Sequence, residues 1–348
     1  DKIVVHILEE MWGVSLDIED AYLHVPIHQD FHKFFAFTLG TRVFVFRVLP
    51  FGLSSAPWAF SRVMKPIKKS LRMLGVTIFS FLDDFLILAV SREHTILHMT
   101  WTLELMQRLG LRINWGKSSL EPSQRLEFLG VLLDLKNLTL SLPVEKVNRI
   151  EAIGNSGKGL VATSRRDLER MVGYINFGAQ YLPLGRLFLL PLVSWMNAHT
   201  LPALRDLPVR ADGQLRTALL HWSDRRHLTV PVPMNIEDPV TFIMTGASLT
   251  GWCGIFQDQT ISGGWNRQDL VHSMNWMELS AIHRTVQFFH RQLAGLCVRV
   301  FSDNTTALAC IRRQGSLASP ALLHLAYQLL SLCQCHRITL VPSHLKGC

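Results

Sequence analysis

The apolar positions along the chain fall into short β-like runs and helical stripes. Residues 34–48 (FFAFTLGTRVFVFRV) are rich in Phe and Val and break at Gly40-Thr41, which predicts two strands joined by a turn. Trp58, Phe60, Val63, Met64 and Ile67 form an apolar stripe that predicts a helix over 54–74. Ser54 or Ser55 can cap that helix, and Pro57 suits an early helical position. Residues 76–90 (VTIFSFLDDFLILAV) set apolar β-formers on both sides of an Asp-Asp pair. Helical periodicity returns over 95–109, two further strands fall within 126–142, and 144–182 reads as helical, with Ser164 and Asp167 spaced as a capping pair. Prolines 183, 191, 202, 208, 231, 233 and 239 then interrupt the pattern, so 199–239 is the expected linker. From 240 the order changes to strands at 240–245, 251–256 and 260–265, a helix at 276–294, and a strand at 297–302. Helices at 304–313 and 320–335 and a strand at 337–342 complete a self-contained α/β unit. The chain shows no internal repeat and no low-complexity segment.

Composition narrows the class. Of 348 residues 48% are hydrophobic and 18% charged, so the chain can bury enough apolar surface to fold and is not a disordered tail. The net charge of +8 is uneven: residues 1–135 hold 14 basic and 14 acidic side chains, whereas 136–235 hold 13 and 7. An excess of that kind suits a polyanionic partner. All six cysteines lie beyond residue 252 and none forms a C-x-x-C pair, which argues against zinc and against a disulfide framework. Free thiols, no signal peptide over 1–16 and a longest apolar stretch of only 187–196 predict an intracellular protein, in cytoplasm or nucleus, with no membrane contact. The start at Asp1 and the end at Cys348 after a strand-like run suggest a piece of a longer polypeptide.

Candidate chemistry centres on carboxylates. Asp83 and Asp84 repel one another between two apolar arms, and a divalent cation at a hairpin tip would relieve that repulsion; a solvated turn is the plainer reading. Asp17 closes another apolar run (Val14, Leu16), and with Asp83 and Asp84 it would offer hard oxygens to two Mg²⁺ ions. Tyr22 could set its ring beside a bound sugar or simply pack in a core. The loop Leu49–Pro57 is punctuated by Gly52 and two prolines, which lets a base or phosphate approach the backbone.

Together the runs SLDIEDAYLHVPI, LPFGLSSAPWAFSRVM, FLDD, GLRINWGKS and LEFLGVLLD resemble the ordered motifs of reverse transcriptases, and most of all those of DIRS-type retrotransposons. The resemblance implies that Asp17, Asp83 and Asp84 are the metal-binding catalytic aspartates, with the Ile18 carbonyl as a further contact. It makes Tyr22 the gate against the wrong sugar, Phe51 and Gly52 the loop that packs on the incoming nucleotide, Lys117 a proton donor to the leaving pyrophosphate, and residues 127–133 the primer grip. Only sixteen residues precede Asp17, so part of the fingers is expected to be missing and polymerisation by this piece to be poor.

The segment from 240 resembles ribonuclease H as it follows such polymerases. Glu278 fits its helix carboxylate, Asp303 its fourth-strand carboxylate, and His344 the histidine before its last aspartate, which would lie beyond Cys348. Gly246 stands where the first aspartate is expected, so this metal site should be impaired. The implied architecture mixes α+β and α/β parts. A right-hand palm with partial fingers would span 1–135, a helical thumb and connection 136–238, and a truncated RNase H-like domain 239–348. Lys146, Arg149, Arg165, Arg166 and Arg170 would then lie along a template–primer backbone. The implied function is RNA-directed DNA synthesis, with Mg²⁺ as cofactor, dNTPs, RNA template, DNA primer and RNA–DNA hybrid as partners, and the rest of a polyprotein attached. The alternative is a non-catalytic nucleic-acid-binding remnant.

Overall fold

Residues 6–158, 163–199, 208–209, 213–235 and 237–345 are described by the structure, a computed structural model. Their contacts divide the chain into two units, Asp1–Pro143 with Pro233–Asn235, and Val144–Val232 with Ile236–Cys348.

The first unit is built on a four-stranded sheet of β1 (Trp12–Asp17), β4 (Thr77–Phe81), β5 (Asp84–Ala89) and β6 (Ser119–Ser123), in the order β4-β5-β1-β6. Helices α1 (Ala56–Met73) and α2 (Arg92–Arg108) belong to the same unit. β5 reads FLILA without alternation because both of its faces are covered. Phe85 and Ile87 join a core with Val14, Leu16, Phe60 and Met64, while Leu86 and Leu88 join a second core with Leu126, Phe128 and Ile7. The expected aromatic strand pair is present as β2 (Ala36–Leu39) and β3 (Arg42–Val45), an antiparallel ribbon exposed along its length. Within 126–142, where two strands are expected, the chain forms three, β7 (Arg125–Phe128), β8 (Val131–Asp134) and β9 (Thr139–Ser141), and β6 precedes them. The β7–β8 turn runs through Leu129 (φ 51°) and Gly130 (φ 72°), the paired left-handed conformation that suits a two-residue hairpin.

The second unit opens with α3 (Val144–Lys158), then the two-residue β10 (Thr163–Ser164) and α4 (Arg165–Gly178). Ser164 accepts a bond from the Asp167 N–H at 3.2 Å, and its side chain and Asp167 close the expected capping box. α5 (Gly185–Ala198) and the short β11 (Pro208–Val209) follow, and then comes a departure. The expected linker contains α6 (Gly213–Trp222), whose Leu215, Ala218, Leu219 and Trp222 are buried. The prolines hid a helical repeat, since Leu215, Leu219 and Trp222 sit at i, i+4 and i+7. Trp222 is fully buried and donates Nε1–H to the Phe188 carbonyl at 3.1 Å. Residues 200–207 and 210–212 of the expected linker lie outside the described residues.

After α7 (Arg225–Leu228) and β12 (Val232–Pro233), the α/β unit forms within two or three residues of the expected boundaries. Its strands β13 (Thr241–Ala247), β14 (Gly251–Phe256), β15 (Gln259–Gly264), β16 (Cys297–Ser302) and β17 (Thr339–His344) are ordered β15-β14-β13-β16-β17. β13, β14 and β15 are antiparallel, and β16 and β17 run parallel to β13. Helices α8 (Met274–Leu293), α9 (Thr305–Arg312) and α10 (Pro320–Cys335) enclose a core around Ile243, Val286, Val300 and Leu329.

Candidate active site

Strand register brings the first carboxylates together. β1 and β5 are antiparallel, and their last pair is Asp17 opposite Asp84. β4 turns into β5 through Leu82 and Asp83, with Leu82 in the left-handed region at φ 54°. A branched side chain resists that conformation, so the tight turn costs roughly 1 kcal/mol and holds Asp83 at the tip. The Asp83 carbonyl accepts the Ile18 N–H at 3.0 Å, tying the tip to the end of β1. All three aspartates are half-buried.

Burial raises the affinity of Asp17 for a proton, Asp83 adds to the rise, and Lys117 opposes it together with a hydrogen bond from the Asn114 side chain. Asp84 is raised first by burial and then by Asp83 and Asp17, again opposed by Lys117. Lys117, though exposed, therefore lies within the field of the carboxylates. Its loop is held by Asn114, whose N–H donates to the Asp17 carbonyl at 2.8 Å, and by Ser118, whose Oγ accepts the Asp17 N–H at 3.0 Å. Asn114 and Ser118 are positioning residues that the sequence pattern does not single out. Their motif GLRINWGKS stands out only as a string, and which of its side chains turn back on Asp17 depends on the fold.

Raised proton affinity at Asp17 and Asp84 marks an unmet demand for positive charge, which a hard divalent cation fits. Among the described residues no three His, Cys, Asp or Glu side chains close tightly around one point.

Of the expected nucleotide-binding residues, Tyr22 and Phe51 lie together. Tyr22 lies 5.5 Å from Phe51 and 6.0 Å from Phe60, ring centre to ring centre. Phe51 is 64% exposed, and Gly52 adopts φ 87° with open space where a Cβ would stand. The Ile18 side chain is buried beneath them.

In the second unit Glu278 is 5% exposed and accepts the Ala247 N–H at 3.2 Å. Burial raises its proton affinity above the usual carboxylate range, the Ala247 bond opposes this, and Asp303 adds to it. His344 Nε2 lies 3.1 Å from the Asp303 carbonyl. Met244 pairs with Phe301, so Gly246, two residues on, lies level with Asp303. Glu278, bonded to Ala247, and Asp303 thus lie near Gly246, where a Cβ would meet nothing within 4 Å, and His344 lies beside the Asp303 backbone. Lys346 to Cys348 lie outside the described residues.

The basic residues of α3 and α4 are largely engaged internally. Lys146 sits 4.1 Å above the Phe177 ring and Arg149 4.1 Å above that of Tyr174. Arg165 is held by Glu169 at 3.1 Å and by the His199 carbonyl, and Arg170 lies 3.8 Å from Asp167. Arg166 is exposed on the same helix.

Comparison with known proteins places the chain among similar sequences and folds. Residues 2–133 match the family described as reverse transcriptase (RNA-dependent DNA polymerase). Protein P of duck hepatitis B virus (strain China) is 27% identical over 167 residues, 47% of this chain and 21% of that protein. The putative enzymatic polyprotein of cassava vein mosaic virus is 21% identical over 304 residues, 83% of this chain and 44% of the polyprotein. The chain thus spans less than half the length of these relatives. A foamy viral protease-reverse transcriptase in complex with double-stranded DNA superposes with a TM-score of 0.58 at 16% identity, covering 100% of this chain and 59% of that one. Another, in complex with RNA/DNA hybrid, gives 0.56 at 16% identity, covering 97% and 44%. Residues 2–133 are thus similar to the reverse transcriptase family, and the chain shares the mixed α and β fold of the solved foamy viral proteins.

Proposed function

We propose that this chain is the polymerase region of a retroelement polyprotein, of DIRS type, and that it copies RNA into DNA by two-metal phosphoryl transfer. The observation that carries the reading is the register pair Asp17–Asp84 with Asp83 at the adjoining tip and Lys117 in their field. Asp17, Asp83 and Asp84 would hold Mg²⁺, which neutralises phosphate charge and activates the attacking primer hydroxyl. Tyr22, Phe51 and Gly52 would form the wall against the incoming dNTP, and Lys117 would protonate the pyrophosphate. Complexes of the foamy viral enzymes with double-stranded DNA and RNA/DNA hybrid support the same partners here. In this reading residues 1–135 are palm with partial fingers, 136–238 thumb and connection, and 239–348 an RNase H-like domain. Five free cysteines, and the absence among the described residues of any helix able to cross a membrane, support an intracellular setting.

Primer extension tests it. On an RNA template with dNTPs and Mg²⁺ the chain should extend a DNA primer, and Asp83→Ala should lower the rate at least 10³-fold (about 4 kcal/mol of barrier). Extension that survives this change refutes the assignment.

A second reading applies to the C-terminal part. Gly246 offers no oxygen to a metal, which favours a binding remnant over a working nuclease. Hybrid cleavage by the unaltered chain that Asp303→Asn abolishes would overturn it.

A further inference from the structure

The neutral charge sum over 1–135 conceals one strongly basic element. α1 carries Arg62, Lys65, Lys68, Lys69 and Arg72 and no carboxylate. Lys65, Lys68, Lys69 and Arg72 recur at i, i+3, i+4 and i+7, which is one helical face. With Pro66 and Met73 they line a groove of about 600 Å³. Two of the four are pinned to β4, the edge strand of the sheet. Lys68 Nζ donates to Ser80 Oγ at 2.7 Å, and Arg72 Nη2 donates to the Ile78 carbonyl at 2.8 Å. Each head keeps further protons to donate. Among the described residues no carboxylate pairs with any of the four, and none lines the groove. Burial, and then neighbouring Arg72, lower the proton affinity of Lys68.

We propose that this groove holds the sugar–phosphate backbone of the unpaired template strand next to the polymerase site. The inference rests on the polymerase reading. α1 begins at Ala56, just after the Phe51–Gly52 loop, and Lys65 follows about 14 Å along the helix at 1.5 Å per residue. A strand passing that loop therefore reaches the groove within a few nucleotides. Cations that recur along one helix face match the repeating phosphates of a strand backbone.

Fluorescence anisotropy with labelled RNA–DNA hybrids, blunt or carrying a template overhang of roughly ten nucleotides, tests the groove. The full chain should bind the tailed hybrid more tightly. Lys65→Gln with Lys69→Gln should remove that gain, leave blunt binding unchanged, and make the salt slope shallower by about 1.4. These two lysines make none of the bonds to β4, so the fold should persist. Lys136→Gln serves as a charge control and should keep the gain. Retention of the gain in the double variant, or an equal loss in the control, overturns the proposal. Tighter binding of a poly-glutamate peptide that the same variant abolishes would make the groove a peptide site and also overturn it. Blunt binding without any gain from the overhang removes the groove alone, whereas no binding of either hybrid removes the polymerase reading as well.

Discussion

Asp84 faces Asp17 across two strands and follows Asp83 in sequence, so the site concentrates negative charge before any cation arrives. Burial and these neighbours raise the proton affinity of Asp84 above its unfolded value. The folded state then binds more protons than the unfolded one, and metal-free stability falls as pH rises from the ordinary carboxylate range through the raised folded value. Asp84→Asn removes this cost. In calorimetry at pH 7 without metal the variant should melt about 2–4 °C higher than the natural chain, the shift expected for roughly 1 kcal/mol. Mg²⁺ should raise the melting temperature of the natural chain and leave that of the variant almost unchanged. A variant that melts lower would show that the carboxylate stabilises the fold. On the RNase H-like reading proposed above, Gly246 is the opposite case, a position where a carboxylate would be missing. Space is open where its Cβ would stand, so Gly246→Asp should fold with its melting temperature within about 2 °C, as expected for a change under 0.5 kcal/mol. Isothermal titration should then detect Mg²⁺ binding at Glu278 and Asp303 that the natural chain lacks.

At the scale of elements, β5 and α6 show two ways in which sequence and fold relate. β5 carries an unbroken apolar run because two cores meet on it, and such a run between turn residues is legible as a strand from its residues alone. The segment that forms α6 reads instead as linker, because prolines on both sides outweigh three apolar residues at helical spacing. The fold gives that helix its purpose. Trp222 is fully buried, and a Cβ on Gly154 of α3 would come within 2.5 Å of the Trp222 carbonyl. Trp222→Ala should destabilise the second unit by about 3–5 kcal/mol and Gly154→Ala by about 1–3 kcal/mol. Urea titration followed by circular dichroism checks both. Midpoints unchanged from the natural chain would mean that 213–222 is linker after all. The basic helices α3 and α4 also take on a second role. Arg165 spends its guanidinium on Glu169 and a carbonyl, and Arg149 lies over Tyr174, so their charges serve packing within α3 and α4 as well.

For the whole molecule, the sequence alone determined the order of motifs, the alternation of strands and helices, and the carboxylates available for metal. Those features are local, since periodicity, capping residues and short ordered strings survive in one dimension. The α/β strands and helices from 240 onward are therefore legible almost to the residue, and the Asp83-Asp84 hairpin is legible from its apolar arms. What only the tertiary structure decided depends on residues distant in sequence. The register that sets Asp17 opposite Asp84 spans 67 positions along the chain and is fixed by two cores at once, which no local pattern records. The turn of Asn114 and Ser118 back onto Asp17 is likewise a long-range contact. Charge follows the same rule. Counting places the basic excess in the middle third, yet geometry gives several of those cations internal partners and leaves the clearest unpaired stripe on α1, inside a segment whose charges sum to zero. A sum along the chain cannot see which side chains share a face, and it is the shared face that a phosphate backbone meets.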